Sequence, residues 1–154
     1  MSSYLTDSSA VVKRYLHESG SGWVRGLFVS TPPNEFYAVA TVGVEVVAAV
    51  TRRVRGGTIS KAGAARLCGV FLADLELDFD VVSVTDNLLR LAVVSAQMHG
   101  LRGYDAIQPA VGVETNRLLV AANLLPLTFV SADQELSAAA RSEGLAVDGP
   151  NAHV

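Results

Sequence analysis

The sequence predicts an α/β fold with a mostly parallel sheet flanked by helices, and three observations support this fold class. Short β-like runs alternate with longer runs of helical periodicity along the whole chain. The length of 154 residues suits a single domain, which we assign to residues 1–154. Hydrophobic residues make up 50% of the chain and charged residues 18%, which excludes a disordered chain and allows a substantial core.

The first half of the chain contains two predicted strands separated by helices. Residues 4–6 are strand-like and are followed by helical runs at 10–16 and 22–29, and a second β-like run covers residues 37–40. Thr41 is placed to cap a helix that runs to about Arg55. Ser60 is placed to cap the helix that follows it.

The second half continues the alternation of strands and helices. In order, its predicted elements are a strand at residues 79–84, a helix capped by Thr85 and ended by Gly100, a helix that begins near Asp105, a strand at 127–131, a helix at 134–143 and a strand at 145–147. Leu89, Ala92, Val93 and Ala96 share one face of the helix after Thr85. Parallel sheets of this class bind ligands at the carboxyl ends of their strands, so the residues that follow strands are of most interest.

Composition excludes several classes of protein. The single cysteine, Cys68, excludes an internal disulfide framework and a cysteine-rich metal site, and the three scattered histidines argue against zinc ligation. No apolar run is long enough to span a bilayer, and the first nine residues lack the basic start and apolar segment of a secretory signal. We therefore expect a cytoplasmic protein without membrane contact. The net charge of −3 argues against broad, charge-driven binding of nucleic acid.

Four acidic residues occupy positions where acidic side chains are unusual. Asp7 follows the first predicted strand, and Asp133 lies just past a later one. Glu45 and Asp105 lie in or at helices that are otherwise rich in apolar residues. A buried carboxylate is destabilising unless it is paired or bound to a cation. Since no basic residue stands directly beside them, the four acids indicate an oxygen-ligand site for a hard cation, Mg²⁺ or Mn²⁺.

Each of these acids also has a structural explanation. Asp7, Asp105 and Asp133 can each cap the helix that follows. Glu45 can form a structural salt bridge inside a helix with little polar surface. One shared site accounts for all four positions together, whereas the structural explanations are independent of one another.

Two pairs of basic residues are candidates for binding phosphate groups. Arg52 and Arg53 end the helix that contains Glu45, while Lys13 and Arg14 lie a helical turn or two past Asp7. One interpretation is a basic rim that binds phosphates. The other is a favourable interaction with the negative end of a helix dipole, together with solubility.

Four segments, spread over nearly the whole chain, carry motifs. Residues 4–15 read Tyr-Leu-Thr-Asp-Ser-Ser-Ala-Val-Val-Lys-Arg-Tyr, and residues 44–50 read Val-Glu-Val-Val-Ala-Ala-Val. Residues 99–108 read His-Gly-Leu-Arg-Gly-Tyr-Asp-Ala-Ile-Gln, and the fourth segment starts at residue 129 as Phe-Val-Ser-Ala-Asp-Gln-Glu-Leu and continues to residue 145. In this order and at these spacings, the segments resemble the PIN domain, and most closely the VapC-type toxins of bacterial toxin–antitoxin pairs.

The resemblance implies a three-layer PIN-like fold and a metal-dependent endoribonuclease that hydrolyses RNA phosphodiester bonds with Mg²⁺ or Mn²⁺. The residues that match the family's catalytic and metal-binding acids are Asp7, Glu45, Asp105 and Asp133. We expect Asp7 and Asp105 to be the principal ligands. Ser9 and Ser131 match small polar positions beside the first and last acid. With RNA as the expected substrate, Lys13, Arg14, Arg52 and Arg53 are the candidate RNA-binding residues.

The resemblance further implies a homodimer and a cognate antitoxin protein that holds the toxin inactive. The sequence departs from the family at Pro109, where an aliphatic residue is more common. If Asp105 opens its helix, Pro109 falls near the first turn, where a missing N–H costs least. Slightly deeper in the helix, Pro109 would introduce a kink and re-aim Asp105. The alternative function is therefore a catalytically silent PIN-like interaction module.

Overall fold

The computed structural model describes residues 1–153, which form five β-strands and seven α-helices. The strands are β1 Ser3–Thr6, β2 Glu35–Val39, β3 Asp80–Val82, β4 Thr128–Val130 and β5 Ala146–Asp148. The helices are α1 Ser8–Tyr15, α2 Ser21–Phe28, α3 Val42–Arg55, α4 Lys61–Asp78, α5 Asp86–His99, α6 Gly103–Ala121 and α7 Gln134–Ser142, and a 3₁₀-helix follows at Pro150–Ala152. The predicted alternation of strands and helices is confirmed, and only the 3₁₀-helix was not predicted.

The five strands form one parallel sheet in the order β3-β2-β1-β4-β5. The central strand, β1, pairs with β2 on one side and β4 on the other, so that Leu5 lies opposite both Tyr37 and Phe129. The strand order reverses between β1 and β4, which opens a crevice at the carboxyl ends of these two strands. Asp7 directly follows β1 and Ser131 directly follows β4, so both residues lie at this crevice.

Helices cover both faces of the sheet and give the three layers of the predicted fold class. Successive residues of a strand point to opposite faces. Leu5 therefore packs in a cluster with residues of α5, α6 and α7, while its neighbour Tyr4 packs against a second cluster formed by α1, α3 and α4. Phe129 belongs to the first cluster and Phe71 to the second, and both residues are 1% exposed or less.

Most predicted helix boundaries are supported by the capping geometry. The hydroxyl of Ser60 accepts from the N–H of Gly63 at 3.0 Å, and Thr85 starts α5 in the same way. Gly100 ends α5 with φ of 65°, a left-handed conformation that favours glycine. Thr41 precedes α3 as predicted, but its hydroxyl does not cap the helix.

Helix α5 buries a different face from the one that the apolar spacing indicates. Its buried residues are Leu88, Ala92 and Ser95, whereas Leu89 and Val93 are 45% and 59% exposed. The predicted common face is therefore divided between core and solvent. Because apolar side chains surround nearly the whole helix, periodicity alone does not select the face that packs against α6.

Helix α6 starts two residues before Asp105, so Pro109 lies beyond the first turn. In a regular helix the N–H of residue 109 would donate to the carbonyl of Asp105, and proline has no N–H to donate. The helix nevertheless continues to Ala121, with Pro109 less than 2% exposed. Pro109 thus occupies the deeper of the two positions that the sequence left open. No helix within residues 1–153 is both long enough and apolar enough to cross a membrane.

Candidate functional site

Asp7 is a buried carboxylate at the point where β1 ends and α1 begins. Its N–H donates to the carbonyl of Val130 at 3.1 Å, which ties it to β4. Its Oδ1 caps α1 by accepting from the N–H of Ala10 at 3.1 Å. The hydroxyl of Ser9 lies 2.7 Å from Oδ1, and the hydroxyl of Ser131 donates to Oδ2 at 3.0 Å. Uncharged donors therefore hold both oxygens of Asp7.

The environment of Asp7 favours its protonated form. Burial is the main cause that raises its pKa to about 6. Hydrogen bonds from Ser9, Ala10 and Ser131 act in the opposite direction, and the negative charge of Glu45 adds to the rise. Within residues 1–153 no basic side chain pairs with Asp7. A cation near this carboxylate would therefore be strongly stabilising.

Ser9 and Ser131 join the ends of β1 and β4 around Asp7. Besides donating to Asp7, the Ser9 hydroxyl accepts from the N–H of Ala132 at 2.9 Å. The Ser131 hydroxyl accepts from the N–H of Asp133 at 3.0 Å, and the two hydroxyl oxygens lie 3.4 Å apart. The two serines predicted beside the first and last acid thus both contact Asp7 and orient its carboxylate.

Glu45 and Asp105 face each other across an open cleft of about 700 Å³ between α3 and α6. Ser9 and Ala132 line the same cleft, so it lies directly above the buried Asp7. Oε1 of Glu45 accepts from the hydroxyl of Thr41 at 3.1 Å. Glu45 makes no ion pair in the part of the chain that the structure describes. The alternative role of Glu45 in a structural salt bridge is therefore wrong.

The acids are close enough to affect one another electrostatically. Partial burial is the main cause that raises the pKa of Asp105 above its ordinary value, followed by the negative charge of Asp133. Arg102 lowers this pKa, while Glu45 and Glu135 raise it further. Asp105 lies inside the first turn of α6 and does not cap it, because Arg102 occupies the capping position.

Asp133 has a clear structural role and lies on a different surface of the crevice. Its Oδ1 accepts from the N–H of Leu136 at 3.0 Å, which caps α7 as the structural explanation predicted. It does not line the cleft of Glu45 and Asp105 but a second cavity of about 490 Å³. Ala132 lines both, so the two spaces meet at this residue.

Three of the four predicted basic residues line the cleft. Arg52 is exposed and makes no ion pair within the described residues, while Lys13 is only 6% exposed. Nζ of Lys13 donates to the carbonyl of Ser19 at 2.9 Å and lies 3.4 Å from Oε2 of Glu18. Glu18 also pairs with Arg53 through its other oxygen. One carboxylate thus neutralises two of the three cations in the cleft.

Arg14 is not among the residues that line the cleft. Its guanidinium lies 2.6 Å from Oδ2 of Asp78 and 3.3 Å from Oδ2 of Asp74, both on α4. It also stacks 4.0 Å above the centre of the Phe28 ring. These contacts give Arg14 a structural role in joining α1 to α4. Of the four basic residues predicted to bind RNA, Arg14 is therefore the one that the structure does not place in the cleft.

No protein-family model and no curated protein matches the sequence. Solved structures do match. VapC20 of Mycobacterium tuberculosis, a toxin that cleaves the sarcin–ricin loop, is 20% identical with a TM-score of 0.61, and the match covers 88% of this chain and 94% of that chain. PAE2754 of Pyrobaculum aerophilum is 20% identical with a TM-score of 0.59, over 95% of this chain and 89% of that chain. VapBC2 of Rickettsia felis, bound to a DNA fragment from its promoter, is 13% identical with a TM-score of 0.58, and the match covers 96% of this chain and 98% of that chain.

This chain has the PIN-domain fold of VapC-type toxins. The PIN-like three-layer fold that the sequence motifs implied is therefore confirmed. At these identities the likeness concerns the fold, and the chemistry must be argued from the side chains in the crevice.

The donor set of this PIN-fold crevice suits a hard cation. Carboxylate and hydroxyl oxygens are the ligands that Mg²⁺ takes in proteins, and the crevice offers them from Asp7, Glu45, Asp105 and Asp133. Among the described residues, however, no three His, Cys, Asp or Glu side chains lie close enough to hold one ion. An ion held by three of these acids would require side-chain rotation, for which the partly exposed Glu45 and Asp105 have room in the open cleft.

The PIN-fold cleft also contains residues that the sequence analysis did not single out. Glu18 follows α1, and no sequence pattern connects it to Arg53, which lies 35 residues later in the chain. Tyr104 lines the cleft and is 70% exposed. An aromatic residue directly before a predicted active-site acid is a signal that could have identified Tyr104.

Proposed function

We propose that this protein is a metal-dependent endoribonuclease that hydrolyses RNA phosphodiester bonds and is the toxin of a toxin–antitoxin pair. The observation that carries the proposal is the crevice between β1 and β4, where Glu45 and Asp105 line an open cleft above the buried, unpaired carboxylate of Asp7. The fold shared with VapC20, a toxin that cleaves the sarcin–ricin loop, supports RNA as the substrate.

The cofactor that we propose is Mg²⁺, with Mn²⁺ as the substitute. Asp7 and Asp105 would be its principal ligands, completed by Glu45 and Asp133. When bound, the ion lowers the pKa of a water molecule and neutralises charge on the phosphate. Without it, the carboxylates of Glu45 and Asp105, with Asp7 beneath them, would repel a phosphate in the cleft.

The residues of the chain supply orientation and proton transfer. Ser9 and Ser131 hold both oxygens of Asp7 and so keep its carboxylate in one orientation. We assign to Glu45 the role of accepting a proton from the attacking water, because it lines the open cleft and Thr41 fixes its side chain. Arg52 lies in the cleft unpaired among the described residues, where it would bind phosphates of the RNA chain, and Arg53 would join it when it is released from Glu18.

Two protein partners complete the proposal. A cognate antitoxin would inactivate the toxin by inserting a cation into the acidic crevice, a contact for which the unpaired carboxylates are suited. The fold shared with VapBC2 supports such a partner. A second copy of the chain would cover apolar residues that α5 exposes, and we place the protein in the cytoplasm, where its RNA substrate is found.

The decisive experiment is cleavage of mixed cellular RNA by the purified, antitoxin-free protein with Mg²⁺ and with a chelator. We expect discrete fragments only with Mg²⁺, and a loss of about 10²-fold or more in rate for Asp7→Asn and Asp105→Asn. Asp86→Asn is the matched control, because Asp86 is exposed at the start of α5 and lines neither cavity. Wild-type turnover in either crevice variant would contradict the site.

A second candidate function, a catalytically silent PIN-like interaction module, is favoured by one observation. No three acids among residues 1–153 lie close enough to hold an ion. Thermal unfolding with and without Mg²⁺ separates the two functions, since an ion that binds only the folded state raises the melting temperature. A rise in the wild type that Asp7→Asn removes would support the enzyme, and no rise at millimolar Mg²⁺ would support the module.

A further inference from the structure

The second cavity, at the carboxyl ends of β4 and β5, differs in chemistry from the cleft of Glu45 and Asp105. It has a volume of about 490 Å³. The cleft contains an apolar patch from Val12, Val44, Ala48 and Ala49 beside its charged residues, whereas polar side chains make up most of the second cavity. These polar residues include Asp133, Gln134, Ser137, Arg141, Asp148 and Asn151. Such a lining is suited to recognising a ligand through hydrogen bonds to its polar groups.

Several of these side chains have unused hydrogen-bonding capacity. Arg141 is exposed and makes no ion pair within the described part of the chain. Ser137 is only 7% exposed, yet it lines the cavity and its hydroxyl has no hydrogen-bond partner among residues 1–153. Asp148 uses Oδ1 to accept from the N–H of Gly149 and from Nε2 of His153, which leaves Oδ2 free. The cavity therefore offers a guanidinium fork, a hydroxyl and a carboxylate oxygen.

The wall of the cavity is preformed by the C-terminal segment. Asn151 donates to the carbonyl of Ala132 at 3.3 Å. The ring of His153 stacks on Trp23 of α2, with ring centres 4.2 Å apart. Gly20 lies so close to Pro150 that a Cβ at position 20 would stand 2.0 Å from the Pro150 carbonyl oxygen. Because this wall is held at three points, little conformational entropy is lost in ordering it when a ligand binds.

The combination of donors and acceptors identifies the ligand class. A phosphate is disfavoured, because Asp133 and Asp148 both line the cavity and would repel it. Guanine presents an acceptor pair, O6 and N7, that a guanidinium binds with two hydrogen bonds. Its N1–H and N2 amino group are donors that suit a carboxylate. Adenine lacks both the O6 acceptor and the N2 amino group, and unpaired bases are the part of RNA whose edges proteins can reach.

We propose that the second cavity binds an unpaired guanine that neighbours the cleaved phosphate, with Arg141 and Asp148 as its specificity-determining residues. Ala132 lines both spaces, so they are contiguous, and an RNA chain whose phosphate lies at Glu45 and Asp105 would extend past Ala132 toward the second cavity. This inference rests on the proposed ribonuclease function, since that function supplies the RNA chain.

The test is the binding of short, unstructured RNA to the full-length Asp7→Asn protein with Mg²⁺, followed by fluorescence anisotropy. The probes are oligouridylates that carry one central guanosine, adenosine or inosine, the last of which lacks the N2 amino group. We expect guanosine to bind about tenfold more tightly than adenosine, and inosine to lie between them. Arg141→Gln should reduce the preference, because it removes the guanidinium that binds O6 and N7. Arg66→Gln should keep the preference, because Arg66 makes the same charge change on α4 and lines neither cavity.

The outcomes separate the two proposals. RNA that binds without preference among the three bases, or a guanosine preference that Arg141→Gln leaves unchanged, would overturn the guanine site and leave the ribonuclease proposal standing. A failure of any RNA to bind would contradict the ribonuclease proposal and the guanine site with it. The comparison of guanosine with inosine leaves Arg141 unchanged, so it tests the guanine site even if Arg141→Gln does not fold.

Discussion

Asp7 combines two requirements that conflict in the absence of a cation. Its carboxylate caps α1 and joins β1 to β4, so the fold uses it as a structural residue. Its burial, with only neutral donors around it, raises its pKa to about 6. A carboxylate that is ionised at neutral pH therefore destabilises the fold until a cation binds. Such a conflict is typical of functional sites, where local stability is sacrificed for chemistry.

The first prediction follows from the sign of this shift. Because the pKa of Asp7 in the folded protein lies above its ordinary value of about 3.9, the folded state binds the proton more tightly between pH 4 and 6. The contribution of Asp7 to the free energy of unfolding is therefore present at pH 4 and lost as the pH rises through 6. With chelator present, we expect Asp7→Asn to be more stable than the wild type at pH 7 by about 1–3 kcal/mol, and the difference to vanish near pH 4. Denaturant unfolding at both pH values measures the stability difference between the two proteins. An equal difference at pH 4 and pH 7 would contradict the prediction.

Glu18 limits the positive charge that the cleft presents to RNA. It pairs with Arg53 and lies 3.4 Å from Nζ of Lys13, so two cations are neutralised by one acid. We expect Glu18→Gln to strengthen RNA binding. The slope of the logarithm of the binding constant against the logarithm of the salt concentration should become steeper by about the amount that one phosphate contact contributes. Titrations at several salt concentrations measure both effects.

The matched control for Glu18 is Glu114→Gln, which breaks the ion pair with Arg117 on the surface of α6. This pair lies outside both cavities, so its loss should leave RNA binding unchanged. If both variants changed RNA affinity to the same extent, the effect would arise from net charge and not from the cleft.

Helix α6 carries Asp105 and packs closely on the sheet. A Cβ at Gly112 would stand 2.7 Å from Cδ1 of Leu145 and 3.4 Å from Cδ2 of Leu5, so only glycine fits this contact without a shift of the leucines. The close contact holds α6 against β1, whose end carries Asp7. The proline at position 109 leaves the carbonyl of Asp105 without its helical partner, yet this contact one turn later keeps the helix in place.

Helix α2 and the C-terminal segment give a prediction from two neighbouring glycines. Gly20 has φ of 79° and contacts the carbonyl of Pro150, whereas Gly22 lies within α2 with no atom near its absent Cβ. We expect Gly20→Ala to lower the free energy of unfolding by about 1–3 kcal/mol, through strain and overlap with backbone. Gly22→Ala should raise it by about 0.5–1 kcal/mol, since alanine favours a helix. Two variants that change stability equally would refute the contact between α2 and Pro150.

Over the whole molecule, the exposed apolar residues are concentrated on helices and not on the sheet. On α5, Leu91, Val94 and Met98 recur at helical spacing on one side and are 39%, 51% and 66% exposed. Contiguous exposed apolar residues indicate a surface that a partner covers. We assign this stripe to the proposed homodimer, because a symmetric dimer can bury the same helix from both copies.

Sedimentation of the purified protein tests this assignment. We expect a dimer for the wild type and a monomer for the double variant Val94→Lys and Met98→Lys, because two buried charges at the contact are costly. Val70→Lys, at a half-exposed position on α4, is the control and should remain dimeric. A dimer in the double variant would show that the contact lies elsewhere.

The predictions from sequence succeeded where the signal is local. Strand and helix order, the caps at Ser60 and Thr85, and the acids at strand ends follow from periodicity and from the chemistry of single positions. The motifs around Asp7 and Asp105 also indicated the PIN fold, which the solved structures confirm.

Other features depend on contacts between segments that are distant in the sequence, so no local pattern could reveal them. Arg14 pairs with acids of α4, and the two basic residues of the α1 segment therefore differ in role although they are adjacent. The exposed side of α5 is set by its packing against α6 and not by its own periodicity.

The residue types and their order along the chain were sufficient for the α/β class, for the PIN-like motifs and for the list of candidate acids, because these depend on local periodicity and on position after a strand. The tertiary structure decided how those acids differ. Asp7 is buried, Glu45 and Asp105 share the cleft, and Asp133 faces a second cavity. Burial and the sharing of a cavity arise only when strands β1 and β4 pair across more than a hundred residues, which fixes the distances and the dielectric environment that set the chemistry of each carboxylate.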